Sequence, residues 1–415
     1  MGDPDIRSVV VVGNGIAGIA AVKHARRLHP GCEIHVISRA NDTLSKRKGI
    51  ARLINGRSGI HGPHLRPESW YQEQRIINWS NTHAVGIDTD KRQVMLATKD
   101  HVAYDRLILA NGSSDQIPAI DGFGTPGSFV LRGTDDATGI GDYVQRYDAH
   151  TAIVAGASVL GLEAAHYLKM LGLEVIVLSD AEHLLNRQLD TCSSRLLQRQ
   201  LRSQGIEILT GTEAATLYRD DDGRVNSVGL KDGRVLPTDV VLACTSVRPN
   251  ADLAKTAGIA TRRGILVDDY MQTSHADIYA AGDVAEHDGV TFCRQPFAVE
   301  QGEIAAFNAL GGKQLYRGHI PSTLLNLTGI DLLSIGQIDT NSNGVYSIVD
   351  EQPGCFKYRK LIFTAGHLLG AILIGYPDDA SLVSDLVKRG ADLTPVISSL
   401  HSGNWNALTR LEITA

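Results

Sequence analysis

Two glycine-rich turns are the first residues in this 415-residue chain whose type and spacing could do chemistry. Gly13, Gly15 and Gly18 follow the apolar run Val9 to Val12 with G-x-G-x-x-G spacing, Ile16 and Ala17 lying between the last two glycines. A helical pattern with apolar Ile19, Val22, Ala25 and Leu28 comes next, and then the strand-like Ile34-His35-Val36-Ile37. The chemistry of such a unit is anion binding. Gly13 permits a tight turn, Gly15 lets the backbone approach a pyrophosphate, and Gly18 lets helix and strand pack closely, while the helix N-terminus faces the phosphates. The unit recurs from Thr151 to Asp180: a strand at Ala152 to Ala155, a turn of Gly156, Ser158 and Gly161 with Val159 and Leu160 between, a helix, and a strand at Glu174 to Leu178. Ser158 stands where the second glycine would be, the smallest polar substitute, which makes phosphate approach tighter. Two such units in one chain point to two dinucleotides, one of them a flavin.

A second concentration lies between Ser45 and Arg66, which holds Lys46, Arg47, Lys48, Arg52, Arg57 and Arg66 together with His61 and His64, and no acid falls between Asp42 and Glu68. The bland reading is a solvated surface loop; the sharper one is a docking surface for an anionic partner. His61 and His64 lack a third ligand, so no metal is expected.

The elements that must position these residues follow from bulk properties. The length suits two or three domains rather than one core. Scarce aromatics and abundant glycine and small aliphatics suit an α/β enzyme with many strand-to-helix turns. The net charge of −6 gives no basic character to favour nucleic acid. Cys32, Cys192, Cys244, Cys293 and Cys355 are far apart and form no C-x-x-C, which disfavours a disulfide framework, a zinc site and a redox dithiol. Met1 to Ser8 is polar and runs into a strand, which argues against a signal peptide, and no apolar run reaches membrane-spanning length. The expectation is a soluble, cytoplasmic protein that binds neither membrane nor nucleic acid.

With these residues in view the chain resembles the two-dinucleotide-binding FAD flavoproteins, and among them the NAD(P)H–rubredoxin and ferredoxin reductases and the flavin part of the nitrite reductase large subunit. The resemblance rests on Tyr104 to Gly112, where Ala110, Asn111 and Gly112 look like the exit from the FAD domain and Asn111 replaces a usual Thr. It rests also on Val247-Arg248-Pro249-Asn250 at a second crossover, and on Ile278 to Val284 with Gly282 and Asp283, similar to the late flavin motif. Gln301-Gly302, Ala305, Ala306 and Asn308 look like the helix that follows, and Tyr358 to Gly375 resembles the C-terminal strand pair. The fold it implies is α/β: two Rossmann-like dinucleotide-binding domains, the second inserted in the first, plus a small α+β C-terminal domain. The expected boundaries are 1–114 with 247–316 for FAD, 115–246 for NAD(P), and 317–415 for the C-terminal domain.

By the same resemblance Asp283 accepts hydrogen bonds from the ribityl chain, Arg47 lies beside the flavin ring, and Glu163 lies near nicotinamide and flavin, so that Arg47 and Glu163 are the candidate catalytic residues. Ser38, Arg39, Val85, Arg132 and Gln301 are implied as further FAD contacts, and Ser179 as a contact of the pyridine nucleotide. Two departures stand out. Neither unit ends its second strand in the carboxylate that normally grips a ribose diol: the first ends Ser38-Arg39-Ala40 and the second Ser179-Asp180. No arginine sits at the second strand end either; His183 and Arg187 are the nearest candidates for a phosphate, and Ser246 replaces a family glycine. FAD is therefore expected, and NADH, NADPH or neither stays open. The basic stretch contains no cysteine, which argues against peroxide and disulfide reductases. The reading is an oxidoreductase passing electrons from NAD(P)H through FAD to an acceptor protein. The alternatives are an FAD oxidase or dehydrogenase acting on a small-molecule substrate with a degenerate second site, and an FAD-bearing subunit of a larger complex; a homodimer is compatible with each.

Overall fold

The computed structural model describes residues 5–38, 50–56, 67–115, 118–131, 134–244, 247–291 and 295–414. Arg39, Arg47, Arg132, Ser246, Cys293 and most of the basic stretch lie outside the described residues. In chain order, the strands of the two nucleotide units are β1 (Ser8–Val12), β2 (Glu33–Ile37), β3 (Ile76–Trp79), β4 (Arg106–Leu109), β5 (Ser128–Val130), β6 (Thr151–Ala155), β7 (Glu174–Leu178), β8 (Ile206–Leu209), β9 (Val240–Ala243) and β10 (Ile278–Ala280). The helices that matter for the sites are α1 (Ile16–Leu28), α2 (Val159–Met170), α3 (Thr191–Ser203) and α4 (Gln295–Ala309).

One compact unit joins the described residues of 5–38, 67–115 and 247–319. Its sheet is parallel throughout, in the order β3-β2-β1-β4-β10. The valines of β1 are all buried, which is why the run is apolar without alternation: a central parallel strand is covered on both faces. Helices α1 and α4 cross through small residues, and a Cβ added at Gly302 would lie 2.3 Å from the Ala17 carbonyl oxygen. Ser113–Asp115 and Val247–Pro249, which flank the inserted segment, pair as an antiparallel ribbon, so the chain leaves and re-enters this unit at one place.

The other unit joins the described residues of 50–56, 118–244 and 320–414. Its parallel sheet runs β8-β7-β6-β9-β5. Read from β3 and from β8, the two sheets correspond strand for strand. Ile50–Asn55 forms a short 3-10 helix with Ile50, Ala51 and Ile54 buried in this unit's core. By its charge pattern 45–66 is expected to be one loop; the apolar residues at i, i+1 and i+4 pull this piece out of it.

The C-terminal segment adds an antiparallel five-stranded sheet in the order Ser322–Leu327, Ile330–Gly336, His367–Ile374, Lys357–Thr364, Val345–Gln352. Its strands alternate between two cores. Leu332, Ile372 and Ile374 join the core of the second nucleotide sheet, whereas Leu333, Ala371 and Leu373 face a separate core with Leu386 and Trp405. The unbroken apolar stretch Ala371 to Ile374 thus reflects a strand buried on both sides.

Candidate functional site

The first glycine turn is shaped by its own backbone. Gly13 sits at φ +114°, and a Cβ there would lie 2.1 Å from the Ala110 carbonyl oxygen. At Gly18 a Cβ would lie 1.9 Å from the Gly13 carbonyl oxygen. Gly15 is different: its backbone is extended, with φ −79° and ψ −169°, and a Cβ would meet nothing within 4 Å. The space before α1 is therefore open on that side, and the first-turn N–H groups, among them those of Ile16 and Ala17, lack intrahelical partners as at any helix start. Asn14 is tied down by a 2.7 Å hydrogen bond from its Nδ2 to the buried Tyr71 hydroxyl, a partner the sequence reading did not find.

At the carboxyl ends of β4 and β10 a second set of groups converges. Gly282, at φ +79°, donates its N–H to Gln301 Oε1 at 2.8 Å, and Gln301 donates to the Tyr316 hydroxyl at 3.0 Å. Gln301 is 1% exposed, so it holds from inside the turn that presents Asp283. Asp283 Oδ2 accepts from Ser113 Oγ at 2.7 Å. Asn111, where the resemblance leads one to expect Thr, donates from Nδ2 to the Asn250 carbonyl at 2.7 Å, and Asn250 returns a bond to the Asn111 carbonyl at 2.8 Å. Asn250 also donates its N–H to the Gly112 carbonyl at 2.9 Å. The two crossings are thereby stitched together by amides.

These groups suit a dinucleotide. The side-chain Oδ1 of Asn111 is buried without a protein partner, and such an atom costs about 1–3 kcal/mol unless something donates to it. The open seat at Gly15, the helix N-terminus, the Asn111 acceptor and the Asp283 carboxylate all belong to the ends of β1, β4 and β10, where sheets of this kind bind nucleotides. Ser38, at the end of β2, is half-buried and its N–H donates to the Trp79 carbonyl at 3.1 Å. Val85 is 54% exposed on the separate strand Ala84–Asp88.

The second turn repeats the first. Gly156 also sits at φ +114°, with a Cβ position 2.6 Å from the Cys244 carbonyl oxygen, and a Cβ at Gly161 would lie 2.1 Å from the Gly156 carbonyl oxygen. Ser158 caps α2: its Oγ accepts from the Gly161 N–H at 3.2 Å and donates to the Cys244 carbonyl at 3.4 Å. Val159 and Leu160 are half-buried in the first turn, as is Glu163 just beyond them. Ser179 ends β7 with its side chain turned inward: it is 3% exposed and Oγ donates to the Ala181 carbonyl at 3.2 Å. Asp180 and Arg187 are exposed near it, and His183 is half-buried. Burial pushes the Cys244 thiol beneath this turn up to about 12.

Among the described residues, Asp269, His287 and Asp288 bring possible ligand atoms within 4.8 Å of one another, but a 2.8 Å bond between His287 Nε2 and Asp269 Oδ1 already pairs two of them. No helix among these residues is long and apolar enough to cross a membrane.

Comparison with known proteins agrees with the duplicated turn. Residues 7–307 match the family model of the pyridine nucleotide-disulphide oxidoreductases, and residues 321–391 match the rubredoxin NAD+ reductase C-terminal domain. The chain is 33% identical over 389 residues to the assimilatory nitrate reductase electron transfer subunit of Bacillus subtilis, covering 93% of this chain and 50% of that protein. It is 30% identical over 384 residues to the NADH-rubredoxin oxidoreductase of Clostridium acetobutylicum, covering 92% of this chain and 93% of that one. The crystal structure of NADH:rubredoxin oxidoreductase from the same organism superposes with a TM-score of 0.74 at 27% identity, covering 95% and 100% of the two chains. The chain spans about half the length of the first curated relatives it matches.

Proposed function

The chain belongs to the pyridine nucleotide-disulphide oxidoreductase family, and on that premise we propose that it passes electrons from NAD(P)H through FAD to a small external redox protein. The observation that carries this reading is the near end-to-end match, C-terminal sheet included, to a relative named for electron transfer from NADH to rubredoxin. Bound FAD supplies the hydride-accepting and electron-releasing chemistry, and the protein supplies position and electrostatics.

In this reading the turn Gly13 to Gly18 holds the FAD pyrophosphate, and Asn111 Oδ1 and the Asp283 carboxylate accept hydrogen bonds from the remainder of the cofactor. The turn Gly156 to Gly161 holds the pyridine nucleotide, with Glu163 one turn further along α2. The boundaries 1–114 with 247–316, 115–246 and 317–415 are part of the proposal; the three five-stranded sheets support them, with Ile50–Asn55 the piece of 1–114 that packs in the other unit's core. The basic residues between Lys46 and Arg66 suit an acidic partner, whose association long-range attraction would speed. One of them, Arg52, also donates to the Tyr167 hydroxyl at 3.1 Å, so it is not a pure surface charge.

Anaerobic stopped-flow mixing with NADH and NADPH tests the reading. Loss of the oxidised-flavin spectrum is expected with at least one nucleotide, followed by re-oxidation on adding an acidic iron–sulfur protein. Re-oxidation should slow as salt rises, because such attraction is screened over about 10 Å at 0.1 M. A flavin reduced by neither nucleotide would refute it. A second reading, an FAD dehydrogenase acting on a small molecule, is favoured by one observation: Ser158 and Ser179 both spend their hydroxyls on their own backbone.

A further inference from the structure

The two dinucleotide turns share one backbone geometry, and their N-cap residues differ by a side chain. Gly13 and Gly156 share φ +114°, and Gly18 and Gly161 both press their α-carbons against the carbonyl of the first glycine. The N-cap residues share an extended backbone as well: Gly15 has φ −79° and ψ −169°, and Ser158 has φ −70° and ψ 167°. Ser158 therefore projects its side chain in the direction that is empty at Gly15, where a Cβ meets nothing within 4 Å. Ser158 is exposed, so its hydroxyl stands in the space before α2 rather than in the core.

The hydroxyl is already committed in both senses. Its oxygen accepts from the Gly161 N–H at 3.2 Å and it has the Cys244 carbonyl within donating reach at 3.4 Å. A helix N-terminus binds anions through N–H groups that have no partner in the helix. At α1 the cap residue is a glycine and has no side chain to spend on them. At α2 the Gly161 N–H is taken, and an approaching phosphate oxygen meets a lone pair of Ser158 Oγ where it would otherwise meet a donor.

We propose that the Ser158 hydroxyl occupies part of the seat for the pyridine nucleotide's pyrophosphate, so that this chain holds that nucleotide more weakly than the bare turn would. Ser158 is thus a residue that sets nucleotide affinity. The inference rests on the reading that the second unit binds NAD(P)H. Its consequence is a loosely held nucleotide, which suits a carrier that must exchange oxidised for reduced nucleotide on every cycle.

The test uses the FAD-loaded full chain and its variants S158G, S158A and S158T, with ADP-ribose as a non-reducing probe carrying the pyrophosphate. Dissociation constants are measured by calorimetry, and thermal denaturation checks that each variant folds. Removing the oxygen returns one helix N–H to the phosphate, a charge-assisted bond, so S158G and S158A should tighten ADP-ribose binding by about tenfold. S158T keeps the hydroxyl and should stay close to the wild type. If S158G and S158A bind ADP-ribose no more tightly than wild type, the inference is overturned; weaker binding by S158A would mean that the hydroxyl donates to the phosphate instead. A different pattern would fail the underlying reading: all four proteins keep FAD, none binds ADP-ribose, and neither NADH nor NADPH reduces any of them. In that case the inference falls with it. A wild type that resists reduction beside an S158G variant that is reduced would support both.

Discussion

Asp283→Ala should loosen FAD without unfolding its site, and the structure allows the size of the effect to be worked out. The turn that carries Asp283 is held by the Gly282 N–H bond to buried Gln301 Oε1 at 2.8 Å, which the substitution does not touch. One protein bond lost is the 2.7 Å bond from Ser113 Oγ, and Ser113 is half-buried, so water can replace that acceptor. For the cofactor, the substitution removes a charged acceptor for one of its hydroxyls. A hydrogen bond to a charged group contributes about 1.5–3 kcal/mol, which at about 1.4 kcal/mol per decade is roughly a 10- to 150-fold weaker Kd. Asp283→Asn keeps an acceptor but loses its charge, and should fall between alanine and wild type. The assay is titration of deflavinated protein with FAD, followed by quenching of flavin fluorescence, with the melting temperature of each apoprotein as a control. If the alanine variant binds FAD within about threefold of wild type while its apoprotein melts normally, the carboxylate does not hold the cofactor and the reasoning is wrong.

Two further outcomes are expected. Asp190 caps α3 through the Ser193 N–H at 2.9 Å and accepts from Tyr358 at 2.7 Å and from the buried Lys360 ammonium at 2.9 Å. Burial pushes its carboxyl up, but the hydrogen bonds from Ser193, Tyr358 and Lys360 together outweigh that and hold it below the ordinary carboxylate value. Its folded pKa being depressed, its contribution is complete above the unfolded value of about 3.9 and is lost as pH falls through the lower folded value. Asp190→Asn should cost about 3 kcal/mol in urea unfolding at neutral pH by leaving Lys360 unpaired, and adding Lys360→Met should recover most of it; a loss below about 1 kcal/mol would contradict the pairing. The cysteines should divide by burial. Exposed Cys192 and Cys355 should react with a thiol reagent in the native protein, whereas Cys32 and Cys244, pushed by burial to about 11 and about 12, should wait for unfolding. Peptide mapping that finds native Cys244 labelled at neutral pH would show that the second turn opens.

The nucleotide turns were legible because glycine spacing is a statement about backbone geometry. The close approaches of Gly18 to Gly13 and of Gly161 to Gly156 leave no room for another residue, and the sequence records that directly. Ser158 was legible as an anomaly, but its bond to the Gly161 N–H follows from the cap conformation and could not be read from the letter alone. The amide stitch between Asn111 and Asn250 joins residues 139 positions apart, and no local pattern announces it. Gln301 was singled out by resemblance as a cofactor contact; its bond from the Gly282 N–H required the fold. The helix Ile50–Asn55 was hidden because its buried Ile50, Ala51 and Ile54 are interleaved with a conspicuous run of positive charge. Ser179 is a further detail the letter does not carry: its side chain at the strand end is turned inward and donates to the Ala181 carbonyl.

The C-terminal sheet is matched by its own domain model, which invites treating it as a detachable module. Its two-faced burial says otherwise. Leu325, Leu327, Leu332, Ile372 and Ile374 complete the core that α2 and the second parallel sheet begin. Cutting the chain before Ser322 would strip that core of one wall and leave apolar surface where a partner strand layer had been, an exposure that favours aggregation over folding. The second nucleotide unit and the C-terminal sheet should therefore open together in hydrogen exchange, as one cooperative block. A chimera that exchanges this domain between relatives would have to exchange the facing surface of the nucleotide unit with it.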